Sequence, residues 1–252
     1  DWQNVAQLHM QTANEHISVG NTTKGEIHLN QSLMIAKKHG LKSRSQILRS
    51  MCFFMIRTGD LLQAFHYARE ATLEAEQRGD PYGIAKGLAM MARVKWQAGE
   101  IKLAEFYLNE AEFRHIRIGY RRGLAEVWNT RGELARTRGD LSAAEHAYRE
   151  AVERYESCGS VSAIFAKLNL GSTYVSAGKF AEAESVLDEV DDFLRKTPRP
   201  VVSELIKLLR TICKIHFQDW AAVESGLVQV KQRIEDLGLV DVDFATTART
   251  AA

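Results

Sequence analysis

The stretch from Trp128 to Ala151, which reads WNTRGELARTRGDLSAAEHAYREA, contains the pattern that decides the fold. It predicts a helix that ends at Gly139 and a second helix that begins near Ser142. Glycine adopts the left-handed conformation that terminates a helix without a steric penalty. Asp140 follows with a side-chain oxygen that can accept a hydrogen bond from the free N–H groups of the next helix. The stretch therefore predicts a helix, a tight turn and a second helix.

Glycines mark the same turn at a regular interval along the chain. Between Gly59 and Gly159 they recur every 20 residues. The interval predicts helices of similar length, paired into units of about 40 residues. The whole series consists of Gly20, Gly40, Gly59, Gly79, Gly99, Gly119, Gly139, Gly159, Gly178 and Gly238. The predicted repeats are 2–40, 41–79, 80–119, 120–159, 160–198 and 199–238, and 239–252 either cap the array or begin another repeat.

Side-chain size keeps the same register as the glycines. Mostly small residues precede the turn inside each repeat: Ala13, Cys52, Ala92, Gly132, Gly171 and Thr211. Small residues also follow it in most repeats: Gly25, Ala64, Ala104, Ala144, Ala183 and Val223. Mostly larger residues come four positions later: Leu29, Ala68, Leu108, Tyr148, Leu187 and Leu227. Because small side chains let two helices approach and larger ones fill the adjacent space, this order predicts packed helix pairs.

The pattern resembles the tetratricopeptide repeat, whose signature is W-x2-L-G-x2-Y followed by A-x3-F. The matching residues are Trp128, Gly132, Ala144 and Tyr148 in the fourth repeat, and Leu170, Gly171, Tyr174, Ala183 and Leu187 in the fifth. The repeats are 39 or 40 residues long and end in glycine, similar to the long repeats of kinesin light chains and bacterial signalling proteins. The resemblance implies an all-α, right-handed superhelical solenoid of about six helix-turn-helix repeats, formed as a single domain over 1–252.

Composition is that of an ordinary globular chain, with 252 residues, 45% hydrophobic and 26% charged. A formal net charge of +1 gives no overall attraction to nucleic acid or to an anionic membrane. No apolar run is long enough for a transmembrane helix. We therefore expect a cytoplasmic protein without nucleic-acid or membrane partners. The chain begins with Asp1 and shows no leader sequence, so we expect a fragment of a longer protein.

Catalytic signatures are absent from the sequence, including the P-loop, H-E-x-x-H and G-x-S-x-G patterns. We therefore predict no catalytic residue and no cofactor. Cys52, Cys158 and Cys213 are far apart and lack C-x-x-C spacing, so we expect reduced thiols. His9 and His16 lie seven residues apart on one predicted helix, but no further ligand accompanies them in the sequence pattern. No metal site is predicted.

The functional prediction is a binding surface. In tetratricopeptide arrays the first helix of each repeat lines the concave face, and the resemblance carries this role to Arg49, Phe53, Arg57, Lys86, Arg93, Trp96, Asn129, Glu133 and Arg136. Arginine binds carboxylates through two parallel hydrogen bonds, and aromatic side chains supply buried area. The implied partner is a protein or peptide segment of acidic character with apolar anchors. The alternative is that these charges only solvate a helical face.

The expected role is a scaffold or regulatory domain of a larger bacterial signalling protein, such as a kinase, an ATPase or a transcription regulator. One alternative is a sensor of a small signal peptide or ligand. Another is self-association into a homodimer, because the first helix of the last repeat is apolar on more than one face and needs a cover. Its candidate residues are Leu205, Leu208, Leu209, Ile212 and Ile215. The basic segment 114–122 spans a predicted helix end, where solvated cations are favoured.

Overall fold

The computed structural model describes residues 1–18, 21–197, 200–216 and 228–229. Within these ranges the chain contains α-helices and no β-strand, which confirms the predicted all-α class. The helices are α1 (Trp2–Ser18), α2 (Thr22–His39), α3 (Arg44–Thr58), α4 (Leu61–Gln77), α5 (Pro81–Gln97), α6 (Ile101–Arg117), α7 (Arg121–Thr137), α8 (Leu141–Ser157), α9 (Ala163–Ser176), α10 (Phe180–Lys196) and α11 (Pro200–His216). None of the helices in this part of the chain is both long and apolar enough to cross a membrane.

Glycine turns separate the helices as the sequence predicts. Gly139 has a φ of 76°, in the left-handed region. Asp140 caps α8, and its carboxylate accepts a hydrogen bond from the backbone N–H of Ala143 at 2.9 Å. Positive φ values recur at Gly40, Gly59, Gly79, Gly99, Gly119, Gly139, Gly159 and Gly178. The turns predicted at Gly20 and Gly238 lie outside the described residues.

Residues predicted to lie between paired helices are buried. Leu29, Tyr148 and Leu187 have no exposed surface, and Leu108 is 1% exposed. The small residues of the same register are also buried, among them Ala13, Cys52, Ala64, Ala92, Ala104, Ala144 and Ala183. The close approach is direct at Gly132, where an added Cβ would lie 2.5 Å from Cε1 of Tyr148. The side-chain register therefore predicts the core correctly within the described residues, and Val223 and Leu227 fall outside them.

The chain divides into two compact units, one from Asp1 to Gly123 and one beginning at Leu124. In the first unit, successive helices from α1 to α6 pack on one another, and the first helices α1, α3 and α5 are also neighbours. In the second unit, α9 packs against α8, α10 and α11. The core of the second unit is formed around Tyr148, Leu187, Ile206 and Leu209. First helices of successive repeats thus lie side by side within each unit.

Candidate functional site

In the first unit, α3 carries three of the predicted partner-binding residues on one face. Arg49, Phe53 and Arg57 are spaced by four residues, which places them one above the other along the helix. Phe53 is 43% exposed, and both arginines are half-buried. The guanidinium of Arg49 donates a hydrogen bond to Oγ of Ser45 at 2.8 Å. This face of α3 combines an open aromatic ring with cationic groups.

The predicted residues on α5 have three different environments. Lys86 is half-buried, with its Nζ 5.9 Å from the ring centre of Tyr120. Arg93 lies close enough to Cys52 to affect it: burial raises the pKa of the Cys52 thiol to about 12, and the Arg93 charge opposes part of that rise. The thiol is therefore protonated at neutral pH. Trp96 is 6% exposed, so little of its ring is open to a partner.

In the second unit, two asparagines connect the first helices α7 and α9. Nδ2 of Asn169 donates a hydrogen bond to Oδ1 of Asn129 at 3.2 Å. Nδ2 of Asn129 in turn donates to Oε1 of Glu133 at 3.0 Å. Both asparagines are half-buried, whereas Glu133 is 2% exposed. Asn129 and Asn169, here called the amide pair, occupy equivalent positions 40 residues apart.

Arg136 extends this contact further along α7. Its Nη1 donates a hydrogen bond to Oγ of Ser172 on α9 at 3.1 Å. Arg136 is half-buried, and Ser172 is 6% exposed. Among the described residues Arg136 takes part in no ion pair, so no carboxylate there neutralises its charge. The amide pair, Glu133, Arg136 and Ser172 form what we call the α7/α9 polar row.

The sequence analysis did not assign Asn169 to the site. Its signal was nevertheless present, because Asn169 follows Asn129 by the same 40-residue step that relates their helices. The analysis placed Ser172 and Leu168 on the same face by register. Leu168 is 3% exposed, so it contributes to packing. Of the predicted positions in the second unit, Asn129 and Arg136 are the ones that keep partial exposure.

The residues predicted for self-association lie on α11. Leu208 and Leu209 are 4% and 1% exposed, and Leu209 belongs to the core that contains Leu187. Leu205 and Ile212 are partly buried and pack against that same core. The side chain of Ile215 lies outside the described residues. Helices of the same unit therefore cover much of the apolar surface for which the sequence required a cover.

The other chemical groups considered in the sequence are also located. Cys52, Cys158 and Cys213 are free thiols, as expected, and burial raises the pKa of Cys213 to about 11. Within the basic segment 114–122, His115 is fully buried and lies 5.5 Å from the ring of Tyr120. In the part of the chain that the structure describes, no group of three or more His, Cys, Asp or Glu residues is arranged to hold a metal ion.

Comparison with known proteins supports the repeat assignment. Residues 125–158, which include α8 and most of α7, match the model of the tetratricopeptide repeat family. No curated protein matches the chain in sequence. This match covers one helix pair, and the register described above extends the same packing to the neighbouring pairs.

Solved structures share the fold over nearly the whole chain. A Rap protein complexed with competence and sporulation factor has a TM-score of 0.79 and 13% identity, covering 96% of this chain and 69% of that chain. The Rap conjugation gene regulator of plasmid pLS20, in complex with the Phr* peptide, has a TM-score of 0.78 and 13% identity, covering 96% and 71%. The apo quorum sensor NprR from B. thuringiensis has a TM-score of 0.60 and 12% identity, covering 91% and 70%. The chain is therefore an all-α solenoid protein built from tetratricopeptide-type repeats.

Proposed function

We propose that the chain is a regulatory scaffold that binds a peptide or protein segment on the first helices of its repeats. The α7/α9 polar row is the observation that carries this proposal. The similar Rap structures support it, because their partners are competence and sporulation factor in one case and the Phr* peptide in the other. The quorum sensor NprR favours a signal peptide as the kind of segment bound.

The amide pair has the chemistry needed to hold a peptide backbone. A side-chain amide offers two N–H donors and a carbonyl acceptor, which are the groups that a peptide unit pairs with. Asn129 uses one donor and one acceptor within the protein, so it retains capacity for a ligand. Asn169 donates to Asn129 and keeps its own carbonyl oxygen for a ligand N–H. The pair can therefore bind an extended segment through its main chain, independently of the segment's sequence.

Arg136 supplies the preference for an acidic segment. A half-buried cation that is hydrogen-bonded to a neutral hydroxyl gains more from a carboxylate than a solvated surface charge does. Glu133 is already hydrogen-bonded to Asn129, which fixes the orientation of that amide. In the first unit, Arg49, Arg57 and the exposed ring of Phe53 offer a second surface of the same character. We propose an acidic peptide with apolar anchors as the partner.

The regulatory part of the proposal concerns a longer protein. Long repeats of this kind resemble those of bacterial signalling proteins, in which the array controls a kinase, an ATPase or a transcription regulator. Binding of the segment would then change the activity of the attached or associated domain. The chain itself is proposed to act by binding and not as an enzyme.

The test is selection of peptides from a random display library, followed by calorimetric titration of the selected peptides. We expect Asn129→Ala and Asn169→Ala each to weaken binding by about tenfold, as the loss of paired hydrogen bonds implies. Arg136→Gln should weaken acidic peptides more than their Asn and Gln analogues. The control is Arg149→Gln, which removes an arginine that is 59% exposed on α8. Circular dichroism confirms that each variant is folded.

Two results would contradict the proposal. Selected peptides that bind the Asn129, Asn169 and Arg136 variants as tightly as the wild type do not use the α7/α9 polar row. A selection that yields no peptide above background removes the peptide-binding role itself. The first result directs attention to the α3 face, where Arg57→Gln and Phe53→Ala provide the corresponding variants.

A further inference from the structure

Three histidines come together where α1 packs against α2. Nδ1 of His9 on α1 and Nδ1 of His28 on α2 are 3.0 Å apart. Their ring centres are separated by 5.2 Å. His16, one further position along α1, stacks on His28 with ring centres 5.7 Å apart and planes inclined by 9°. All three rings are half-buried.

The facing Nδ1 atoms have the separation of two ligands on one metal ion. Imidazole nitrogen binds Zn²⁺ at about 2.0–2.1 Å, so two ligands of a tetrahedral ion lie about 3.3 Å apart. The observed 3.0 Å is close to that value, and a small rotation of either ring closes the difference. The directions also fit, because a hydrogen bond between two nitrogens already aims one lone pair at the position between them.

The proton balance permits the exchange. In the hydrogen bond between His9 and His28, one Nδ1 carries the proton and the other accepts it. When a cation takes the place of that proton, the donor ring returns to neutrality by carrying its proton on Nε2. This change of tautomer is available to any neutral imidazole. No oxidant, reductant or further reactant is required.

We propose that His9 and His28 bind one divalent transition-metal ion of the Zn²⁺ type through their Nδ1 atoms. His16 is a positioning residue, because its stacked ring restricts the rotation of His28. Water occupies the remaining coordination positions, consistent with the absence of a three-ligand group among the described residues. The bound ion joins α1 to α2 and stabilises the first helix pair of the first unit. Imidazole ligands select Zn²⁺, Ni²⁺ or Cu²⁺ over Mg²⁺, which prefers oxygen ligands.

Calorimetric titration with Zn²⁺ tests the site. The reference protein carries Cys158→Ser, because Cys158 is an exposed thiol that can bind Zn²⁺ by itself. We expect one Zn²⁺ per reference chain and no binding of Mg²⁺. His9→Asn and His28→Asn should each weaken Zn²⁺ binding by about tenfold or more, and His16→Asn by less. The matched control is His66→Asn, which removes an imidazole that is 65% exposed on α4 and should leave binding unchanged.

A second measurement avoids any dependence on the folding of the variants. Histidine ¹⁵N correlation spectra of the reference chain should show Zn²⁺ displacing the Nδ1 signals of His9 and His28, with the Nε2 proton retained. Zn²⁺ should also raise the melting temperature of the reference chain and not that of His28→Asn. The proposal is overturned if stoichiometric binding is absent, if binding persists undiminished in the His9 and His28 variants, or if the Nδ1 signals of other histidines respond instead.

Discussion

Helix pairs α7/α8 and α9/α10 repeat the same register 39 residues apart, yet they make their closest contact in different ways. In the first pair Gly132 faces Tyr148, and an added Cβ would lie 2.5 Å from Cε1 of the ring. In the second pair Gly171 faces Leu187, and the corresponding distance to Cδ2 is 3.3 Å. The absence of a side chain is therefore required where an aromatic ring covers the partner helix and is close to optional where leucine does.

This difference explains why the family model matches one pair and not the other. Residues 125–158 contain Trp128, Gly132 and Tyr148, whose sizes depend on one another. The α9/α10 pair keeps the positions but fills the second with Leu187, which is also fully buried. Packing geometry thus persists along the chain where the sequence signature has changed.

Gly132→Ala tests the tighter of the two contacts and should have the largest effect. The new methyl group overlaps the Tyr148 ring, which has no exposed surface and no room to move. We expect a loss of about 1–3 kcal/mol in the free energy of unfolding, measured by urea denaturation. Combining it with Tyr148→Leu reproduces the α9/α10 pair, so Gly132→Ala should cost less in that background. Additive effects of the two substitutions would contradict the proposed contact.

Gly171→Ala tests the looser contact and should have a much smaller effect. Alanine favours a helix over glycine by about 1 kcal/mol, and this gain offsets a displacement of Leu187 by a few tenths of an ångström. We expect the free energy of unfolding to stay within about 1 kcal/mol of the wild type. A loss as large as that of Gly132→Ala would show that the two helix pairs are equally tight.

Glu145→Gln tests the polar connection between the two pairs and should have the smallest effect. Glu145 on α8 accepts a hydrogen bond from Nζ of Lys179, which precedes α10, at 2.7 Å. That hydrogen bond holds the pKa of the Glu145 carboxyl below its ordinary value of 4.5. Its contribution is therefore complete above that value and is lost as the pH falls through the lower pKa of the folded state.

The measurement for Glu145→Gln is the melting temperature as a function of pH. The variant should melt slightly below the wild type at pH 7, and the difference should vanish in acid. Glu153→Gln, an exposed position on the same helix, serves as the control and should run parallel to the wild type. A difference that stays constant down to low pH would assign the effect to packing and not to charge.

The helices, their turns and the buried register were predictable because they depend on local rules. Gly139 and Asp140 have a fixed effect on the backbone next to them, and Ala144 and Tyr148 occupy one face by helical periodicity alone. Contacts between helices were harder to predict. Periodicity gives the side of a helix on which Trp96 or Glu133 lies, but the neighbouring helix determines how much of that side remains exposed, and both are buried.

The candidate site illustrates the same limit. Asn129 was identifiable from its position on a first helix, whereas its bond to Asn169 requires that two amides on neighbouring helices rotate toward one another. His9 and His28 are a clearer case, since they lie on different helices 19 residues apart. Their pairing depends on the packing of α1 against α2, which a search along one helix does not reveal.

The turn glycines have a consequence for measuring how the array opens. At each of the eight glycines with positive φ, no atom lies within 4 Å of an added Cβ. An alanine there has only a backbone penalty, about 1–2 kcal/mol for the left-handed conformation, and this penalty is nearly the same at every turn. Identical substitutions from Gly40 to Gly178 therefore form a set of equal probes. Amide exchange of these variants would map, turn by turn, which segments unfold together and which open alone.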